Sequence, residues 1–319
     1  MENSITLNQK IGSHGAYWKR FIKNQLRFLK VFKNYWQIFP KILKNQYPII
    51  AKTKNQELKI QSYNALYVIS QISKLDGIEF NLNEDLVKIP SENKTLKIFG
   101  GLNNGDVIGC FVKNDYGKLK VSEKWVVDIG SNIGDSAIYF VTNGAKKVLG
   151  IEPFPKSYEL ATKNVKENNL QDKIEIIQAA CAYKKNLQID IESEKGVESV
   201  ANESENGLKI QSLTLEDIIT NFKIPKNSIL KIDCEGCEDE IISLCKNETL
   251  KHFSEIQIEY HNGYNNIESK LNQCGFNTNI SKPIASNVLT NLLQNNKKLD
   301  NKIYHVGFII AKKDVNKHD

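Results

Sequence analysis

The apolar positions of this chain follow two different periods. Over residues 17–39 they recur at helical spacing, at Trp18, Phe21, Ile22, Phe28, Leu29, Phe32, Trp36 and Phe39, with lysines and asparagines between them. That spacing predicts a basic amphipathic helix interrupted at Pro40. Residues 1–15 are polar and predict a loose tail, and residues 63–75 predict a second helix with Gly77 as its stop. Lys94–Phe99 and residues 106–112 flank a Gly-Leu-Asn-Asn-Gly turn and read as a strand pair, either a lid or an addition to a sheet edge. From Lys124 the texture changes. Short β-rich runs at residues 125–129, 147–151, 174–178, 228–232 and 255–258 alternate with helical patterns at 135–143, 156–168, 214–220, 238–244 and 267–274, and residues 304–311 form a last strand. Residues 187–190 and 208–210 read as a hairpin joined by the polar stretch 192–206. Alternation of this kind predicts a mostly parallel sheet covered on both faces. It divides the chain into a basic helical extension over residues 1–93 and an α/β domain over 94–319.

Composition adds few constraints. With 319 residues, 40% hydrophobic and 25% charged, the balance is that of an ordinary globular protein. Six sparse cysteines suggest no disulfide framework, and no run is long enough to span a bilayer. The first residues lack the features of a secretion signal, so a cytoplasmic, reduced protein is the expectation. Charge is more informative. The net charge is +6, and between Lys19 and Lys59 eleven Lys or Arg stand against the single acid Glu57. Positive charge concentrated this way bears on the partners of the N-terminal segment. The favoured expectation is that its aromatic face packs on the rest of the protein or on a second copy while the lysines face water. Peripheral contact with an anionic membrane and nucleic-acid binding are the alternatives.

The candidate chemistry lies at strand ends. In Trp-Val-Val-Asp-Ile-Gly-Ser-Asn-Ile-Gly-Asp, residues 125–135, a strand ends in Asp128 and a loop with Gly130, Ser131, Asn132 and Gly134 leads to a helix at Asp135. This is the layout of a nucleotide-type site, although neither Gly-x-Gly-x-x-Gly nor a phosphate-cradling Gly-Lys-Ser/Thr is present. The next strand ends in Glu152-Pro153, 24 residues after Asp128, where a carboxylate can meet ribose hydroxyls. Asp233 and Glu259 end two later strands, so four acids stand at the sheet edge where ligands bind in open α/β folds. Glu235 and His261 stand beside them, and the imidazole suits proton removal from an alcohol. Glu238 reads as a helix-start acid held by the helix dipole. Cys234 and Cys237 read as spacers or core residues, and His305 as a packed or edge residue of the last strand. Asp233, Glu235 and His261 could together hold a divalent metal, but nothing in their spacing fixes such a geometry, and no metal is the expectation.

These residues carry a resemblance. Residues 126–135, then Gly-Ile-Glu-Pro-Phe-Pro at 150–155, Leu-Thr-Leu-Glu-Asp-Ile at 213–218, and above all Leu-Lys-Ile-Asp-Cys-Glu-Gly-Cys-Glu at 230–238 resemble the FkbM family of S-adenosylmethionine-dependent methyltransferases. The likeness covers about residues 95–311. It implies a class I, Rossmann-like α/β fold with a seven-stranded, mostly parallel sheet whose last strand is antiparallel. It also implies S-adenosylmethionine as cofactor. Asp128, Gly130, Ser131, Asn132, Gly134 and Asp135 would form the cofactor loop, with Glu152 and Pro153 at the ribose and Gln178, Ala179 and Ala180 near adenine. Asp233 and Glu235 would lie beside the transferred methyl; the reading of the strand ends adds His261 and Glu259 to the catalytic set, with His261 or Asp233 as base and Glu235 orienting the acceptor hydroxyl. The implied reaction is O-methylation of a sugar or natural-product hydroxyl. The sequence departs from the family pattern at Cys234 and Cys237, where Val or Ile and a small residue such as Ala are expected. A nucleic-acid methyltransferase gains from the basic N terminus but lacks the Asn/Asp-Pro-Pro-Tyr/Phe segment expected after the fourth strand. A nicotinamide-dependent oxidoreductase is disfavoured by the missing third glycine, and a non-catalytic scaffold by the complete set of acids.

Overall fold

The computed structural model describes residues 5–73, 75–92, 94–184, 187–189, 207–261, 263–286, 288–293 and 303–313. Helix starts after Thr6, whose hydroxyl accepts the Gln9 N–H while the Gln9 side chain accepts the Thr6 N–H. This capping box starts α1 (Leu7–Val31), so most of the stretch read as a tail is helical despite its glycines. The basic helix does not continue to Pro40. Lys33 N donates to Lys52 O, and the Asn34 side chain bridges Ile50 O and Lys52 N, which pulls residues 32–34 out of helical geometry. A separate α2 (Tyr35–Leu43) follows and contains Pro40. The predicted second helix is α3 (Tyr63–Ile72), capped by Ser62.

The expected pairing of Lys94–Phe99 with residues 106–112 does not form. Lys94–Phe99 pairs antiparallel with Leu86–Ser91, and Gly109–Lys113 is helical. Gly100 and Gly105 both take positive φ, at 81° and 93°, and bracket one helical turn rather than a hairpin.

The central sheet contains β1 (Trp125–Ile129), β2 (Lys147–Ile151), β3 (Ile174–Ile177), β4 (Ser228–Ile232), β5 (Phe253–Tyr260), β6 (Phe276–Ile280) and β7 (His305–Lys313). Their spatial order is β6-β7-β5-β4-β1-β2-β3, and Ile284–Ala285 adds to β7. β1 to β5 pair in parallel, whereas β7 lies antiparallel between β5 and β6. That is the arrangement the resemblance implies. Side chains alternate along the strands, so Val126 and Val148 face one core layer while Val127, Leu149 and Leu230 face the other. Phe28 of α1, Phe32 just after it and Ile38 of α2 belong to the first layer, so the N-terminal segment shares a core with the sheet. The hairpin forms as Gln188–Ile189 against Leu208–Lys209, and its connection lies outside the described residues. Three helices border the sheet edge where the acids gather: α4 (Asp135–Thr142), α5 (Pro155–Glu167) and α6 (Glu238–Leu244).

Candidate active site

Two strand ends are locked together at the sheet edge. Gly130 sits at φ 73°, and a Cβ there would lie 1.8 Å from the Asp233 carbonyl oxygen, so no other residue fits this crossing. Asp233 N donates to Ile129 O, and Gly130 N donates to Ile151 O. The ends of β1, β2 and β4 are thereby held in one place.

Asp128 is fully buried and points away from the edge. It pairs with Lys231 Nζ at 3.0 Å and accepts hydroxyl protons from Ser131 at 3.1 Å and Ser136 at 2.6 Å. Lys231 also donates to Gly130 O at 2.7 Å. Burial alone would lower the lysine, but Asp128 and Asp233 hold it above the ordinary range. Asp128 therefore serves the loop by fixing its shape. Glu152 ends β2 and accepts the N–H of Asn132 at 2.8 Å and of Phe154 at 2.9 Å, one on each oxygen. Ala179 and Ala180 are buried at the end of β3.

Asp135, at the start of α4, is buried and accepts the Cys110 thiol proton at 3.3 Å. Burial pushes its carboxyl from the usual 3.8 up to about 6, against the pull of Lys231. A carboxyl raised in the folded state favours folding at low pH, and that advantage is lost as pH rises through about 6. Asp135→Asn is therefore expected to raise the urea midpoint at pH 7.5 and leave it nearly unchanged at pH 4. Equal shifts at both pH values would show that Asp135 is not desolvated in this way.

Beyond the Gly130 crossing, Asp233, Glu235, Glu259 and His261 come together as expected. Register pairs Ile232 with Ile258, so Asp233 and Glu259 leave adjacent strands side by side. His261 is buried, with Nδ1 3.0 Å from Glu238 Oε1 and Nε2 3.1 Å from Glu235 Oε2. Burial alone would lower the imidazole, but the two carboxylates push it well above its ordinary value. Both ring nitrogens are thus engaged by carboxylates. Glu235 and Glu259 are both pushed up by burial and by the charge of Asp233. The side chains of Asp233 and Glu235 keep 22% and 25% of their surface exposed, which leaves them open to a ligand.

The loop carrying these acids is unusual. Glu235 takes φ 57° and Gly236 φ 123°, and Cys234 and Cys237 form a disulfide around them with Cα atoms 5.7 Å apart. This corrects the reading of the two cysteines as spacers, because the left-handed turn brings them within bonding reach. Glu238 does start α6, but it also accepts the N–H groups of Cys234 and Gly236, both at 3.1 Å, and contacts His261. Burial would raise its carboxyl, yet the His261 contact and these bonds hold it below the usual value.

Several participants were missed in the sequence. Asp106 accepts from Asn132 Nδ2 at 2.9 Å, and burial together with Asp135, Asp233 and Glu235 pushes it well up. The Tyr116 hydroxyl donates to Asp233 at 3.4 Å. Both come from the segment misread as an edge strand and its sequel, and only packing brings them here. Lys231 could have been found, because a lysine inside an apolar strand requires a buried partner.

Comparison with known proteins finds the following likenesses. Residues 128–278 match the family model described as Methyltransferase FkbM domain. Over that segment the chain is similar to FkbM methyltransferases. The match covers the Asp128 loop, Glu152, the 233–238 loop and His261. Uncharacterized protein 158B of Sulfolobus islandicus rod-shaped virus 1 is 31% identical over 127 residues, 40% of this chain and 56% of that protein. The chain thus spans little more than half the length of this curated relative. The FkbM methyltransferase structure from Methylobacillus flagellatus is 15% identical, covering 61% of this chain and 45% of that one, with a TM-score of 0.39. M. capricolum TrmK, solved with S-adenosyl-homocysteine, is 18% identical, covering 65% of this chain and 69% of that one, with a TM-score of 0.39.

Proposed function

We propose that this chain transfers a methyl group from S-adenosylmethionine to a hydroxyl oxygen, and that the acceptor is a sugar or glycan at a membrane surface. The observation that carries this reading is the joining, across the Gly130 crossing, of Glu152 on one side with Asp233, Glu235 and Glu259 on the other. The donor set fits the cofactor. Each Glu152 oxygen accepts one backbone N–H, which fixes the carboxylate at the strand end where ribose hydroxyls would bind. The acids beyond the crossing suit a ligand bearing positive charge.

When bound, S-adenosylmethionine supplies a methyl carbon that is electrophilic because it is attached to a sulfonium. The protein's task is to align the acceptor oxygen with the carbon–sulfur bond, exclude water and take one proton. Asp233 and Glu235 orient the hydroxyl. Its proton passes to Asp233 or Glu259, which lie side by side and are not committed to His261. Bound beside an oxygen so held, the cofactor would supply the methyl group and its sulfur would keep the electron pair of the carbon–sulfur bond. Carboxylates are also good acceptors for vicinal hydroxyls, which favours a sugar.

The membrane part rests on α1 and α2. Leu7, Ile11, Ile22, Leu26, Leu29 and Trp36 are exposed, the last at 74%, alongside Lys19, Lys23, Lys30 and Lys33. Among the described residues no helix is long and apolar enough to cross a membrane. An exposed apolar stripe flanked by lysines complements an anionic lipid surface. The full chain is expected to sediment with phosphatidylglycerol vesicles and not with neutral ones, and Ile22→Asp/Leu29→Asp is expected to abolish this. Salt-sensitive retention on RNA or DNA without vesicle binding would favour a nucleic-acid partner instead.

Calorimetric titration with S-adenosylmethionine tests the core of the proposal. Glu152→Ala is expected to weaken binding roughly 10- to 100-fold, since hydrogen bonds to a charged group contribute about 1.5–3 kcal/mol. Absence of binding by the folded wild type would overturn it.

A further inference from the structure

We propose that Asp233, Glu235 and His261 form a site for one divalent cation beside the acceptor hydroxyl, a proposal that rests on reading this edge as the methyl-transfer site. One ligand atom from each residue lies within 4.8 Å of the others. An ion with bonds near 2.1 Å holds its ligands about 3–4 Å apart, so small side-chain rotations complete the set. The donors are two carboxylates and an imidazole, and two of the three are partly exposed.

The orientation of His261 is the decisive feature. Glu238 is 2% exposed and is fixed by the N–H groups of Cys234 and Gly236, so it is an immobile acceptor for the Nδ1 proton. With Nδ1–H committed, a neutral ring would direct the Nε2 lone pair at Glu235 Oε2, 3.1 Å away. Two lone pairs at that distance repel, so a positive centre must lie between them, either a second proton or a metal ion. A carboxylate holding the far nitrogen of a histidine is the usual outer-shell partner of a metal-bound imidazole. The surroundings point the same way. Lys231 is committed to Asp128 and Gly130 O, and it reaches Asp233 only at 4.0 Å. Oxygen-rich donors with one imidazole suit Mn2+ or Mg2+. Such an ion would bind the acceptor hydroxyl, make its proton easier to remove and so raise the nucleophile concentration.

The test uses the full chain stripped of metal by chelation, titrated with Mn2+ alone and followed by calorimetry and electron paramagnetic resonance. One Mn2+ per chain is expected. Glu235→Gln and His261→Ala are each expected to weaken binding at least tenfold, and Glu238→Gln by about 10- to 100-fold through the histidine it orients. No saturable binding, or equal binding by folded Glu235→Gln and His261→Ala, would overturn the site and leave a proton in the gap. Neither cofactor nor acceptor enters this assay, so its outcome is separate from that of the S-adenosylmethionine titration. Binding of Mn2+ without binding of S-adenosylmethionine would uphold the cation site and reject methyl transfer.

Discussion

Lys231→Met is expected to destabilise the fold by roughly 3–5 kcal/mol, the usual cost of leaving one member of a buried ion pair alone. The lysine side chain is 3% exposed and Asp128 is fully buried, so water cannot replace the missing charge. Ser131 and Ser136 still donate to Asp128, but their neutral hydroxyls do not compensate an anion in this setting. The loss should appear as a lower guanidinium midpoint with an unchanged slope. Asp128→Asn added to Lys231→Met should recover much of it, because the amide removes the stranded charge and still accepts the serine protons. A single-substitution loss below about 1 kcal/mol would mean that the pair does not hold the strand ends together.

Asp233→Asn is expected to lower turnover by about 10²- to 10⁴-fold, the range associated with a positioned acid or base. The amide is nearly isosteric and can still accept the Tyr116 hydroxyl. S-adenosylmethionine affinity should stay within a few-fold, since Glu152 across the crossing is untouched. The measurement is single-turnover methyl transfer to an acceptor found by screening sugars and glycolipids, paired with calorimetry on the same variant. Unchanged turnover with cofactor bound would remove Asp233 from the proton path and leave Glu259 as the base. Loss of cofactor binding would instead move Asp233 from the acceptor side to the cofactor side.

The sheet and its acids were legible because strand period and strand-end acids are local signals. Asp128, Glu152, Asp233 and Glu259 each close an apolar run, and the parallel order puts them at one edge. Roles were harder to read than positions. Asp128 faces inward because strand alternation places it on the Val126 side, whereas Glu238 gains its hold on His261 from a loop closed by Cys234 and Cys237. Asp106 and Tyr116 entered the site through packing over sequence separations that no local pattern encodes. The start of α1 was visible as Thr6-x-x-Gln9, a capping signal outweighed in the reading by the glycines that follow it.

The first helix is fastened to the far end of the chain. Gln9 donates to the Tyr264 hydroxyl, Ser13 meets His305 Nδ1, and the Tyr17 hydroxyl accepts Leu289 N, across 255, 292 and 272 residues. During synthesis α1 leaves the ribosome well before these partners do. Contacts this distant in sequence are slow to form, because the loop they close must be ordered before they return any stabilisation. The helix made early is therefore seated late, and until then its buried face, with Phe28, has no place on the nascent chain.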